Sequence, residues 1–231
     1  MGGMGEERKR VMYRFVEKSE CERYRKDCSE VLTRVRDALK KDEGIVTRFT
    51  LIGSGARNMV TRNGSGPFDL DYNLEIIRAP DDYLIDLRKL KDTVRLYLDD
   101  ASGLKCFSES QNSTVALTAL LHFNDTAQVK FSFDVTIVKR NVNGTLCRLV
   151  NNKYYFINGV QGQYCWNEIP SSHNVGEKAD RIKEAGKWNE VRKKYIDLKN
   201  HYLSLQDDDH PSFIVYIEAV NQIFDKINIS K

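Results

Sequence analysis

The sequence predicts an α+β fold, with a mixed β-sheet that follows a long N-terminal helix and leads into a C-terminal helical region. Three observations predict it. Apolar residues recur at i, i+3 and i+4 through the first forty positions, alternation with period two dominates 104–164, and helical spacing returns after 177.

The first predicted helix covers 6–41, with Phe15, Tyr24, Cys28, Val31, Leu32, Val35 and Leu39 on one stripe and Gly44 as its stop. Covering the sheet is its expected task, and a dimer contact is the alternative. Residues 45–52 are β-like, and 68–77 form a second strand stopped by Ala79-Pro80. Over 81–98, Tyr83, Leu84, Leu87, Leu90, Val94 and Leu98 restore helical spacing, with Asp81 or Asp82 placed to cap. Further strands are expected at 104–109, 113–123, 127–139, 145–150 and 153–157. Asn124-Asp125, Asn143-Gly144, Asn151-Asn152 and Asn158-Gly159 are the expected turns. A linker at 170–176 precedes helices at 177–205 and 212–227. The expected organisation is one domain over 1–169, made of helix 6–41 and the sheet of 45–164, followed by a helical region over 170–231.

Composition narrows the function classes. Across 231 residues, 36 basic side chains nearly match 33 acidic ones, for a formal net charge of +3. That balance permits an anionic substrate, and extended nucleic-acid binding is possible but not indicated. The five cysteines are scattered, odd in number and never spaced C-x-x-C, so free thiols are expected rather than disulfides or a zinc site. The start of the chain lacks a signal-peptide pattern, and no run approaches the ~18 apolar residues of a membrane span. A cytoplasmic protein with no membrane contact is expected.

The chemistry concentrates in Leu51–Ile76, L-I-G-S-G-A-R-N-M-V-T-R-N-G-S-G-P-F-D-L-D-Y-N-L-E-I. An apolar strand runs into Gly53-Ser54, and a later strand carries Asp69 and Asp71. Alternation projects both carboxylates from one face while Phe68, Leu70, Tyr72 and Leu74 pack the other. A Gly-Ser turn can hold phosphate through backbone N–H groups and the Ser hydroxyl. Two acids beside such a cradle suit a divalent cation carrying a nucleoside triphosphate.

A third acid, Asp134, lies on the polar face of V-K-F-S-F-D-V-T-I-V, residues 129–138. Two carboxylates ~6 Å apart repel by about 3 kcal/mol at an effective dielectric near 20, so converging acids make sense with a divalent cation and little without one. Taken alone, Asp134 could instead bond Lys130, Ser132 or an edge amide. Asp125, in an N-D-T turn, and Glu109 are rival third acids; the upstream motif favours Asp134.

Gly53-Ser54, then Asp69-Leu70-Asp71 on the next strand, then Asp134 on a later one resemble the nucleotidyltransferase superfamily. That group includes DNA polymerase β, oligoadenylate synthases and cyclic GMP-AMP synthase-like enzymes. The segment G-P-F-D-L-D-Y-N-L-E-I looks most like the oligoadenylate and cyclic-dinucleotide synthase form of the motif, and the resemblance covers about 45–138. It implies a nucleotidyltransferase-like mixed β-sheet palm and transfer of NMP from an NTP to a hydroxyl acceptor, with pyrophosphate released. The acceptor could be a nucleotide, an RNA end, a small molecule or a protein. By the same resemblance Asp69, Asp71 and Asp134 are the catalytic, metal-binding residues for two Mg²⁺ (or Mn²⁺) ions, and Gly53 and Ser54 bind the nucleotide. One departure is length, which leaves little room for the C-terminal domain of larger members.

Other features read more plainly. Arg57, Asn58 and Arg62 are expected as solvated loop residues within reach of phosphate, and Gly64–Gly66 as a flexible hairpin. The basic run Lys178, Arg181, Lys183, Lys187, Arg192, Lys193 and Lys194 interleaves with acids at helical spacing, so it reads as a solvated face, although one member could reach a triphosphate. Trp188, Tyr195 and Tyr202 read as core. The alternative function is a non-catalytic nucleotide- or partner-binding module of the same fold, antitoxin-like or regulatory. The weakest reading is a structural α+β protein whose acids form surface pairs.

Overall fold

The computed structural model describes residues 12–122, 128–157, 160–170, 174–207 and 210–229. It has the expected α+β composition, and the chain divides into two compact units. One comprises 16–60 and 67–172; the other comprises 1–15, 61–66 and 173–231.

The first unit holds the sheet. Its elements are α1 (Lys18–Asp42), β2 (Val46–Ile52), α2 (Gly53–Ala56), β4 (Phe68–Arg78), α3 (Asp81–Ile85), α4 (Leu87–Gly103), β5 (Gln111–Asn112), β6 (Leu117–His122), β7 (Val129–Arg140), β8 (Leu146–Ile157) and β9 (Val160–Glu168). The strand order is β2-β4-β7-β6-β5, with β8 pairing both β7 and β9. Only β4 and β7 run parallel among the described pairs. A parallel pair needs a long crossover, here α3, α4, β5 and β6.

One sheet face is apolar because each strand alternates. Phe68, Leu70, Tyr72 and Leu74 from β4, with Phe131, Phe133, Val135 and Ile137 from β7, are buried there beneath α1 and α4. The α1 stripe Tyr24, Cys28, Val31, Leu32, Val35 and Leu39 is buried against it. Tyr24 stacks on Phe131 with ring centroids 4.3 Å apart, edge-on to Phe68 at 5.3 Å. Each large side chain so buried contributes about 1.5–3 kcal/mol. Gly44, at φ +67°, ends α1, and Ile45 bonds back to the Leu39 carbonyl at 3.0 Å.

The second unit contains β1 (Tyr13–Phe15), β3 (Thr61–Asn63), α5 (Val175–Glu184), α6 (Trp188–Ser204) and α7 (Ser212–Ile229), with β1 and β3 antiparallel. Asn200 brackets Tyr13, accepting from its N–H at 2.7 Å and donating to its carbonyl at 3.1 Å. Several basic side chains find partners within this unit: Lys178 bonds Asn221, Lys183 pairs with Asp180, Lys187 with Glu190, and Lys199 bonds Thr61 and Ser212. Of the three aromatics, Tyr195 is buried in this unit's core while Trp188 and Tyr202 are half-buried.

Several element expectations need correction. The first helix starts at Lys18, because Tyr13–Phe15 pairs as a strand and Phe15 stacks on Tyr195 instead of joining the helical stripe. The 81–98 helix is two helices broken at Asp86, and Asp86 rather than Asp81 or Asp82 supplies the cap, accepting from Lys89 N–H at 2.9 Å. No strand forms over 104–109. The strands at 145–150 and 153–157 are one, and Asn151-Asn152 lies inside it, paired with Tyr164 and Gln163. The 177–205 helix breaks at Gly186, where φ is +68°. The turn at Asn143-Gly144 forms, with Gly144 N–H bonded to the Asn141 carbonyl at 2.9 Å. Asn124-Asp125 and Asn158-Gly159 lie outside the described residues.

Candidate active site

The three acids stand on the two parallel strands. Asp71 of β4 is the direct register partner of Asp134 of β7, and Asp69 pairs with Ser132 two positions earlier. Neighbouring strands are ~4.8 Å apart and register partners share a face, so the pairing brings Asp71 and Asp134 side by side. Asp69 is exposed, while Asp71 and Asp134 are half-buried.

Electrostatics follows from that placement. Burial, reinforced by the charges of Asp69 and Asp134 and opposed by Arg57, pushes the Asp71 carboxyl up to about 7. Burial also raises Asp134, with Asp69 adding to the effect; a hydrogen bond from Thr118, its cross-strand partner on β6, works the other way. Oδ1 of Asp134 is buried with no hydrogen-bond partner. A buried carboxylate oxygen left bare, beside a carboxyl that holds its proton to neutral pH, fits a cation ligand set better than a structural ion pair. Among the described residues, however, no three acid, imidazole or thiol groups are drawn tightly enough to form a ready-made metal cluster.

Gly53 and Ser54 open the short α2 turn directly after β2, whose last residue, Ile52, is the register partner of Asp71. Gly53 adopts φ +62°, and a Cβ there would lie 2.4 Å from Asp71 Oδ2. The turn therefore lies against the carboxylate, an approach that only glycine permits. Gly55 is also hemmed in: a Cβ would meet Leu51 Cδ1 at 2.9 Å and Leu70 Cδ2 at 3.0 Å. Arg25 of α1 braces the turn from the other side, donating through Nη2 to the Gly55 carbonyl and to Asn58 Oδ1 at 3.0 Å.

Sequence reasoning missed Thr118 and Arg25, and read Arg57 mainly as solvated; the structure sets its charge against Asp71. Alternation could have flagged Thr118, a hydroxyl in L-T-A-L-L-H, but nothing in the sequence gives its pairing to Asp134. Of the rival acids, Asp125 lies outside the described residues, and Glu109 is exposed between α4 and β5. The cysteines are free thiols. No described helix is long and apolar enough to cross a membrane.

No protein-family model matches the chain, and no curated protein does. Solved structures do. Escherichia coli MS115-1 CdnC with ATP aligns with a TM-score of 0.52 at 17% identity, covering 90% of this chain and 61% of that one. The cyclic AMP-GMP synthase DncV of Vibrio cholerae, a prokaryotic cGAS homolog, aligns with a TM-score of 0.51 at 12% identity, covering 82% and 62%. Its complex with nonhydrolyzable GTP aligns at 0.51 and 13%, with the same coverage. The chain thus spans about three fifths of the length of the structures it matches. At these identities the likeness is one of fold: the chain has a nucleotidyltransferase fold, with its long N-terminal helix, mixed sheet and C-terminal helices.

Proposed function

We propose that this chain is a divalent-metal-dependent nucleotidyltransferase, moving NMP from an NTP to a hydroxyl acceptor with release of pyrophosphate. The observation that carries the reading is the parallel register of Asp71 with Asp134, with Asp69 two residues upstream and the Gly53 turn against the Asp71 carboxylate. The fold shared with nucleotide-bound structures supports it.

In this reading Asp69, Asp71 and Asp134 hold two Mg²⁺ or Mn²⁺ ions. When bound, the metals neutralise the triphosphate and stabilise charge on the entering and leaving oxygens. The backbone of Gly53 and the Ser54 hydroxyl grip the phosphates distal to the reacting one, and Arg57 adds positive charge beside them. In the same reading Asp134 takes the proton of the acceptor hydroxyl. The acceptor oxygen forms a bond to the α-phosphorus, the bond from the α-phosphorus to the bridging oxygen breaks, and pyrophosphate departs with that electron pair. Free thiols throughout suit a reducing, cytoplasmic setting.

The test is pyrophosphate release from each NTP with Mg²⁺ or Mn²⁺, with products resolved by mass. The Asp69→Asn/Asp71→Asn variant should fold and release none; equal release by that variant would overturn the reading. A non-catalytic nucleotide- or partner-binding module of the same fold is the second reading. Metal-independent NTP binding without turnover would select it.

A further inference from the structure

The Gly53–Asn58 turn is held from two sides. Gly53 lies against the Asp71 carboxylate on one, while Gly55 packs on Leu51 and Leu70 on the other, where Arg25 of α1 reaches it. The turn's own bonds are main-chain, from Asn58 N–H to the Gly55 carbonyl at 3.2 Å and from Met59 N–H to the Ser54 carbonyl at 2.9 Å. Both Gly53 and Asn58 have positive φ, +62° and +56°. A turn that winds through two left-handed residues in so short a span is kept in shape by what surrounds it.

Arg25 supplies side-chain bonds to it. A single nitrogen, Nη2, donates to the Gly55 carbonyl and to Asn58 Oδ1, the second at 3.0 Å. Arg25 spends its charge on a backbone carbonyl and an amide oxygen rather than on a carboxylate, and its Nε is buried without a hydrogen bond. A desolvated guanidinium used in this way gains less than an ion pair would, so stability alone is a poor reason for its place there.

We propose that Arg25 is a positioning residue for the triphosphate, which it never touches. It fixes Gly55 and Asn58, and through them the Gly53-Ser54 segment between Asp71 and α1. This rests on the function proposed above, in which that segment grips the distal phosphates. Those phosphates are held in the ground state as well as in the transition state, so loosening the turn raises KM and leaves kcat nearly unchanged.

The test is calorimetric titration of the full chain with inorganic tripolyphosphate and Mg²⁺, beside KM and kcat for pyrophosphate release. Arg25→Gln should weaken tripolyphosphate about tenfold and raise KM by the same factor, the scale of a lost charge-assisted hydrogen bond. Arg25→Lys, which can reach one acceptor but lacks the planar fork, should recover part of the loss. Asn58→Gly removes the side-chain oxygen while keeping a residue that takes φ +56° freely, and should weaken binding about threefold because the Gly55 bond remains. The double variant should bind no more weakly than Arg25→Gln alone, since both act through one contact. Poor folding would instead lower kcat and leave KM alone. Tripolyphosphate binding by Arg25→Gln equal to wild type, a loss confined to kcat, or additive losses in the double variant would overturn the inference and leave the nucleotidyltransferase reading standing. Arg25-dependent binding without pyrophosphate release from any NTP would uphold the inference and overturn that reading; no binding by wild type would overturn both.

Discussion

Replacing Asp71 with Asn should stabilise the metal-free protein while abolishing turnover, and the size of the gain should depend on pH. The Asp71 carboxyl is raised from 3.8 to about 7, chiefly by burial and then by Asp69 and Asp134. Each unit corresponds to about 1.4 kcal/mol, so ionising this group costs the fold about 4 kcal/mol at most above pH 7. A carboxyl raised on folding contributes its full stability below the unfolded value near 4 and loses it as pH climbs through about 7. Asn carries no charge to desolvate. In a chain of this size 1 kcal/mol is worth about 2–4 °C, so the gain at pH 8 should reach at most roughly 8–16 °C and fall towards zero near pH 4. Thermal melts of both proteins in EDTA at pH 4, 6, 7 and 8 measure it. A gain that does not vary with pH, or a loss at pH 8, would refute the claim that the Asp71 carboxyl is raised by burial beside two other acids.

Three further outcomes follow from the same geometry. Mg²⁺ must displace the Asp71 proton, so its apparent affinity, read by thermal shift, should rise by up to tenfold per pH unit below 7 and level off above it. Gly53→Ala places a Cβ 2.4 Å from Asp71 Oδ2 at φ +62°; it should lower the melting temperature by roughly 2–8 °C, reflecting about 1–2 kcal/mol of backbone cost, and abolish pyrophosphate release. Glu75 is buried and bridges Arg48 at 2.6 Å and Arg140 at 3.1 Å, so Glu75→Ala should cost about 2–3 kcal/mol in denaturant melts, less than a fully dry pair because both arginines reach solvent.

The sequence announced the site's alternation but not its register. Period two in F-D-L-D-Y and F-S-F-D-V puts Asp69, Asp71 and Asp134 on polar faces, and the structure agrees. That β4 and β7 are parallel neighbours, with Asp71 opposite Asp134, depends on a crossover of some fifty residues that no local pattern encodes. Thr118, Arg25 and Arg57 were opaque for the same reason, since each acts through a partner distant in sequence or across a turn. Element boundaries failed where tertiary pairing overrode local preference. Tyr13–Phe15 sits in a charged run that reads as helix, and its partner Thr61–Asn63 is short and polar. Asn151-Asn152 looks like a turn but is held extended by β9 and by the bond from Asn151 N–H to the Thr114 carbonyl. Gly186 sits among good helix formers, and its positive φ was visible only in the structure.

The most direct measurement is an anomalous-difference map from crystals grown with Mn²⁺ and a non-hydrolysable NTP. The account predicts two manganese peaks ~3.5–4 Å apart, bounded by Asp69, Asp71 and Asp134, with the distal phosphates on the Gly53-Ser54 turn. Manganese bound elsewhere, or a triphosphate seated away from these three carboxylates, would contradict it.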